Sequence, residues 1–384
     1  MKILVLMDSF KGSLTSTEAG EAVKAGILSS GIDADISVYP FADGGEGTLD
    51  AFLKADKCSR KIKINVSDPL GRLTEAHYGV LSDNTAVIEI AQAAGLCLLS
   101  ESERNPLKTT TRGVGELIKH AVNTGIRDFI IALGGSATND CGIGMLKELG
   151  FKILDNGGLP VCDGALGLSN AVSIDNSGIL PCLNECSFVI ACDVKNPLFG
   201  TQGASHVFAP QKGASLEDIE IMDTWFKGFS AITHEVFPDS DPNAEGAGAA
   251  GGLGFALQAF LNGKMQPGTD VLLSRTDIER EISLSDLIIT GEGRMDGQTA
   301  MGKAPARIAD LAKKYDKPVI AITGCVGNGA DKCHDAGIDA IFPTLSHPMT
   351  PDEAMDSKTA GDNVIRTACE IMRLVQFSRL LSER

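Results

Sequence analysis

Charged side chains in this chain gather just after short apolar runs. Asp8 and Lys11 follow residues 3–7, and Asp43 and Glu46 follow residues 35–41. Ser136, Thr138, Asn139 and Asp140 follow residues 129–133, and Asp193, Lys195 and Asn196 follow residues 188–191. Glu292, Arg294, Asp296 and Lys303 follow residues 287–290. Glycines are interleaved with them: Gly44, Gly45 and Gly47, then Gly134 and Gly135, then Gly291, Gly293, Gly297 and Gly302. Acids, lysine, arginine and glycine amides without a nucleophile–base pair are the parts of phosphoryl transfer. That chemistry needs amides and cations around the moving charge, carboxylates for Mg²⁺, and one Asp for the acceptor hydroxyl.

Other chemistries fit less well. Residues 297–304 follow the Walker A frame until Ala304, where Ser or Thr should hold Mg²⁺. Residues 246–251 match G-x-G-x-x-G, but an acidic, Pro-containing loop precedes them where a strand should stand. A glycine–alanine helix start packed close to a neighbour explains them better. Ser136 lies in Gly134-Gly135-Ser136-Ala137-Thr138, not in a nucleophile elbow, and none of the six histidines stands in a triad signature. Taken singly, an Asp before a helix is most often an N-cap and Gly-Gly a tight turn. Lys11 resists such a reading, because a lysine four residues past a buried strand is expected to lie deep.

The elements that position these residues alternate. Residues 3–7 read as a strand, followed by a helix whose Thr15 and Glu18 make a capping box. Residues 35–41 and 49–55 repeat the strand–helix unit, which implies a parallel α/β sheet. From Lys61 to Ile90 the pattern becomes a three-strand meander, read as the start of a second domain inserted in the first. Strands at 129–133 and 188–191 and a long helix at 216–237 follow. Residues 287–290 form a strand that gives way to a glycine-rich loop, with a helix beginning near Pro305. In such sheets, ligands sit beyond the carboxyl ends of the strands. The polar exits are therefore expected around a shared cleft.

Totals narrow the classes further. A net charge of −16, with one Trp and three Tyr, disfavours nucleic-acid binding. No apolar run approaches a membrane span, and the N-terminus reads as a first strand because Asp8 and Lys11 follow at once. The ten cysteines include no C-x-x-C pair and suit reduced thiols in a cytoplasmic protein.

Six blocks carry a family resemblance: residues 8–13 (DSFKGS), 42–48 (ADGGEGT), 134–140 (GGSATND), 196–198 (NPL), 248–252 (GAAGG) and 290–294 (TGEGR). On these the chain resembles the bacterial-type glycerate kinases (glycerate 2-kinase, type 1) over essentially its whole length. The resemblance implies a two-domain α/β fold, with a Rossmann-like parallel-sheet domain (1–62 plus 280–384) and an inserted mixed α/β domain (63–279). It implies ATP- and Mg²⁺-dependent phosphorylation of D-glycerate, usually to the 2-phosphate. The 3-phosphate, a related hydroxy or sugar acid as acceptor, and, distantly, a nicotinamide oxidoreductase remain as alternatives. Lys11, Asp193, Arg294 and Asp296 become the catalytic candidates, with Asp193 and Asp296 for the metal. Asp8, Ser9, Lys11, Asp43, Gly44 and Arg294 would bind substrate. Gly134, Gly135, Ser136, Asn139, Gly291, Glu292, Gly297 and Lys303 would bind ATP. Partners would be these small molecules, with no nucleic acid or membrane, and a homodimer as the candidate assembly. Cys141, Lys195 and Gly297 depart from the family, which commonly has Gly, Asp and Ser there.

Overall fold

The computed structural model describes residues 1–382, with side chains described to residue 378. Its strands are β1 (Lys2–Met7), β2 (Asp35–Pro40), β3 (Arg60–Ser67), β4 (Leu73–Val80), β5 (Thr85–Glu89), β6 (Asp128–Ala132) and β7 (Lys152–Leu154). They continue with β8 (Ser173–Asp175), β9 (Ser187–Ala191), β10 (Lys264–Gln266), β11 (Leu287–Met295), β12 (Val319–Val326) and β13 (Ala340–Pro343). The chain folds as two compact units. One comprises Met1–Asp43, Asp50–Lys57 and the chain from Thr269 onward; the other comprises Gly44–Leu49 and Cys58–Gly268.

The first unit holds a five-stranded sheet in the order β13-β12-β11-β1-β2, parallel throughout. Ile3 to Met7 are all fully buried, as expected of a parallel strand covered on both faces. The strand order reverses between β1 and β11, which makes that junction the topological switch point. Helix Ser16–Ser29 begins with the expected capping box. The Glu18 N–H donates to Thr15 Oγ1 at 3.2 Å, and the Thr15 N–H donates to Glu18 Oε2 at 2.8 Å. Ala19, Val23 and Ile27 on that helix share one core with Val364, Ala368 and Met372 of the C-terminal helix Ser357–Ser382.

One expectation is overturned here. Sequence spacing ends the strand at Thr290, but β11 runs on to Met295 and β12 to Val326, with Arg294 opposite Cys325. Gly291 explains the extension. A Cβ there would stand 1.8 Å from the Ile322 carbonyl oxygen, so the bare backbone is what lets β11 and β12 close up. Gly291 to Arg294 therefore project from a strand, and the loop proper starts at Asp296.

The second unit holds a six-stranded sheet in the order β10-β9-β6-β5-β4-β3 and a small β7-β8 pair. β10, β9, β6 and β5 are parallel, while β5, β4 and β3 form the antiparallel meander. Residues 44–49 belong to this unit: the Gly134 N–H donates to Gly44 O at 3.2 Å, and the Leu49 N–H donates to Glu89 Oε1 at 2.7 Å.

Candidate active site

In the first unit, the carboxyl ends of the parallel strands open into a cavity of about 600 Å³. Asp8, Ser9, Lys11, Asp43, Glu292, Arg294 and Lys303 all line it. The Asp8 N–H donates to Gly291 O at 2.9 Å, which continues the β1–β11 pairing one residue past the strand and sets the Asp8 side chain at the switch point. The Phe41 N–H donates to Met7 O at 3.0 Å and brings the β2 exit, with Asp43, to the same place. Asp8 is 5% exposed. Burial pushes its pKa up to about 7, helped by the negative charges of Asp43 and Glu292; the Ser9 N–H, at 2.6 Å from Oδ1, and Lys11 pull the other way.

Glu292 is also held above the usual carboxylate range, first by burial. Two donors moderate this: the Thr299 hydroxyl donates to Oε1 at 2.5 Å, and Lys303 Nζ lies 3.8 Å from Oε2. The same Thr299 oxygen accepts the Asp296 N–H at 3.1 Å, so one buried threonine positions both acids. Asp296 Oδ1 accepts the Gln298 N–H at 2.9 Å, and Oδ2 lies 3.4 Å from Arg294 Nε. The Gly297 N–H is taken by Asn328 O at 3.0 Å. Lys303 occupies the N-cap position of helix Ala304–Lys313, with Pro in its first turn as read from sequence.

Lys11, expected deep, is exposed instead. Phe10 and Leu14 pair across a tight turn and take the buried positions, which leaves Lys11 at the tip beside Gly12 at φ 79°. Lys11 still reaches the cavity wall.

The remaining predicted residues lie in the second unit. Gly44 and Gly134 serve a close backbone crossing, since a Cβ on Gly134 would sit 2.3 Å from Gly45 Cα and one on Gly44 2.7 Å from Ala191 O, while Gly135 adopts a left-handed φ of 73°. Asn139 is fully buried and donates from Nδ2 to Ser205 Oγ at 3.1 Å. Asp193 Oδ1 accepts the Gly268 N–H at 3.0 Å. Lys195 points to Glu245 at 3.5 Å in an exposed ion pair. Cys141 adopts a left-handed φ of 49° against Gly252, a backbone that glycine tolerates best. The run 246–251 makes a close-packed turn: a Cβ on Gly248 would sit 2.2 Å from Pro197 O and one on Gly251 2.1 Å from Thr138 O.

Lys212 carries no local signal in the sequence. It is 1% exposed and donates from Nζ to Ser136 Oγ at 2.9 Å and to Thr138 O at 2.6 Å. Burial lowers its pKa to about 7 against the opposing pull of Asp140. Asp140 is itself buried and accepts the Thr111 N–H at 2.8 Å and the Thr111 hydroxyl at 2.9 Å. Thr299 does carry a signal, because a threonine three residues after Asp296 is a turn signature.

Known proteins resemble this chain along nearly its whole length. The glycerate kinase family model matches residues 3–376. A glycerate kinase from Bacillus subtilis (strain 168) is 41% identical over 382 residues, covering 99% of both chains. A glycerate 2-kinase from Escherichia coli (strain K12) is 41% identical over 372 residues, covering 97% of both. A glycerate kinase 2 crystal structure from Salmonella typhimurium LT2 superposes with a TM-score of 0.83 at 40% identity, covering 99% of both chains. With this match over nearly its whole length, the chain belongs to the glycerate kinase family.

Proposed function

We propose that the protein transfers the γ-phosphoryl group of ATP to the 2-hydroxyl of D-glycerate. The carrying observation is that Asp8, Lys11, Glu292, Arg294 and Lys303 converge on one cavity at the switch point of a parallel sheet. Phosphoryl transfer asks for positioned cations and one acceptor-side base, and this wall offers both.

Asp8 is the group we assign to the acceptor proton. It lines the cavity, and a carboxyl poised near 7 is matched to taking a proton at neutral pH. Asp296 is less suited to that role, because its oxygens face Gln298 N and Arg294. Arg294 presents a planar fork that matches the glycerate carboxylate, and its side chain is open to solvent. Lys11, a compact point charge with three donors, neutralises charge on the moving phosphoryl group. Lys303 balances Glu292 and keeps that acid from repelling the phosphates.

Mg²⁺ accompanies ATP as substrate. Among the described residues no group of three or more His, Cys, Asp or Glu is arranged as a metal cage. The donor set fits a Mg²⁺ held mainly by phosphate oxygens and water with one or two protein carboxylates. Asp296 at the exit of β11 is the carboxylate we assign to it; Asp193, the other metal candidate, stands at the exit of β9 in the second unit. When bound, the ion neutralises charge on the β- and γ-phosphates.

Among the described residues no helix is long and apolar enough to cross a membrane. Among the described residues the ten cysteines form no disulfide, in keeping with the reducing, cytoplasmic setting we propose. The direct test is ADP release with MgATP and a panel of hydroxy and sugar acids. D-Glycerate should give the highest kcat/KM; a different acid ahead of it by tenfold or more would replace the acceptor assignment.

A further inference from the structure

The charged wall is only one side of the first unit's cavity. The other side is made by Leu345, Met349, Pro351 and Met355, from the exit of β13 and the short helix Pro351–Met355. Leu345 and Met355 are 44% and 48% exposed, so they stand open as cavity lining and are not part of the core. Two buried polar side chains border them. Asn363 is 5% exposed; its Oδ1 accepts Arg366 Nη2 at 3.2 Å, and no acceptor is recorded for its Nδ2 among the described residues. Thr344 is 4% exposed; its N–H goes to Thr323 O at 2.9 Å, and no partner is recorded for its hydroxyl among the described residues.

Size and chemistry both argue against glycerate as the occupant of this side. A cavity of about 600 Å³ lies in the range, roughly 300–1,000 Å³, that encloses drug-sized ligands. Glycerate is a three-carbon acid with polar groups on every carbon, so it has no apolar face to cover these side chains. A purine has two such faces and a rim of donors and acceptors. Methionine side chains adapt to flat rings and make favourable sulfur–aromatic contacts. An asparagine amide and a threonine hydroxyl suit the purine edge.

We propose that this side of the cavity binds the purine nucleoside of ATP. Its ring packs on Leu345, Met349 and Met355, its edge faces Asn363 and Thr344, and its phosphates run toward Lys11. This rests on the reading of the chain as an ATP-dependent kinase and adds where the nucleoside sits. It puts nucleotide selectivity in the first unit's C-terminal segment.

The test titrates the fluorescent nucleotide mant-ADP into the wild type, Met355→Trp and Leu345→Asp, with inorganic tripolyphosphate as competitor. Thermal melts check that the variants fold, as expected for substitutions at exposed positions. Both variants should weaken mant-ADP at least tenfold, leave tripolyphosphate competition within twofold, and leave the glycerate KM at saturating ATP within twofold. Unchanged mant-ADP affinity in both folded variants, or a glycerate KM that rises in place of it, overturns the proposal. Wild-type protein that binds mant-ADP in this variant-sensitive way without phosphorylating glycerate would sink the function and leave the nucleoside site standing. Glycerate turnover with variant-insensitive nucleotide binding would do the reverse.

Discussion

The backbone N–H of Asp8 donates to the carbonyl of Gly291 at 2.9 Å, and this one bond places the Asp8 carboxyl beside Glu292 at the switch point. Burial and the nearby acids hold Asp8 at about 7. A base must be ionised to accept a proton, so kcat/KM should rise with pH through that value. Asp43→Asn removes one repelling charge and should move the acidic limb toward lower pH. Asp8→Asn should lower kcat by about 10²–10⁴-fold, the usual share of a general base. pH–rate profiles of the three proteins check both statements, and an acidic limb unmoved by Asp43→Asn would remove Asp8 from the role.

The same group has a stability signature. Its folded value lies above the usual 3.8, so the folded state holds this proton more tightly than the unfolded one. Its stabilising contribution is complete below about 4 and is lost as pH rises through about 7. The Tm of wild type minus that of Asp8→Asn should therefore fall across this window, as read by calorimetry at several pH values.

Lys212 has the opposite sign. Its folded value is lowered to about 7 from 10.5, so the unfolded chain binds this proton more tightly between those values. Its contribution to stability should grow as pH rises from 7 toward 10. Lys212→Met leaves the Ser136 hydroxyl and the Thr138 carbonyl without their donor, at about 1–3 kcal/mol for each buried group left unsatisfied. The Tm gap between wild type and variant should widen with pH; a flat gap would mean that the ammonium is charged throughout.

Gly291 and Lys11 separate packing from chemistry. Gly291→Ala forces a Cβ to 1.8 Å from Ile322 O and should cost about 1–3 kcal/mol or more through overpacking, read by urea unfolding. Lys11→Met changes an exposed side chain and should leave stability within about 0.5 kcal/mol. It should lower kcat/KM by tenfold or more; a variant with unchanged kinetics would return Lys11 to the solvated surface.

Much of this fold is legible in the residues. The buried strands β1, β6 and β9 are short apolar runs that end in polar exits, and the Thr15 capping box marks its helix start. The switch-point acids Asp8 and Asp43 stand out because each directly follows a buried apolar run. The end of β11 is harder to read, because a Gly-Glu-Gly-Arg stretch has loop composition whether or not a neighbouring strand holds it extended. Only the contact with Ile322 decides, and that partner is distant in sequence. Lys212 is invisible for the same reason: Gln211-Lys212-Gly213 looks like a solvated turn, while the groups it serves lie more than seventy residues earlier. The apolar cavity wall from residues 345–355 is likewise made by tertiary placement, not by any local pattern.

The central claim, phosphoryl transfer to the 2-hydroxyl of glycerate, is tested most directly by proton-coupled ³¹P NMR of the product formed from D-glycerate and MgATP. A phosphate on C2 has one neighbouring proton and must appear as a doublet, alongside ADP. A triplet, from the two protons on C3, would contradict the acceptor assignment, and no new phosphate ester at all would contradict the activity.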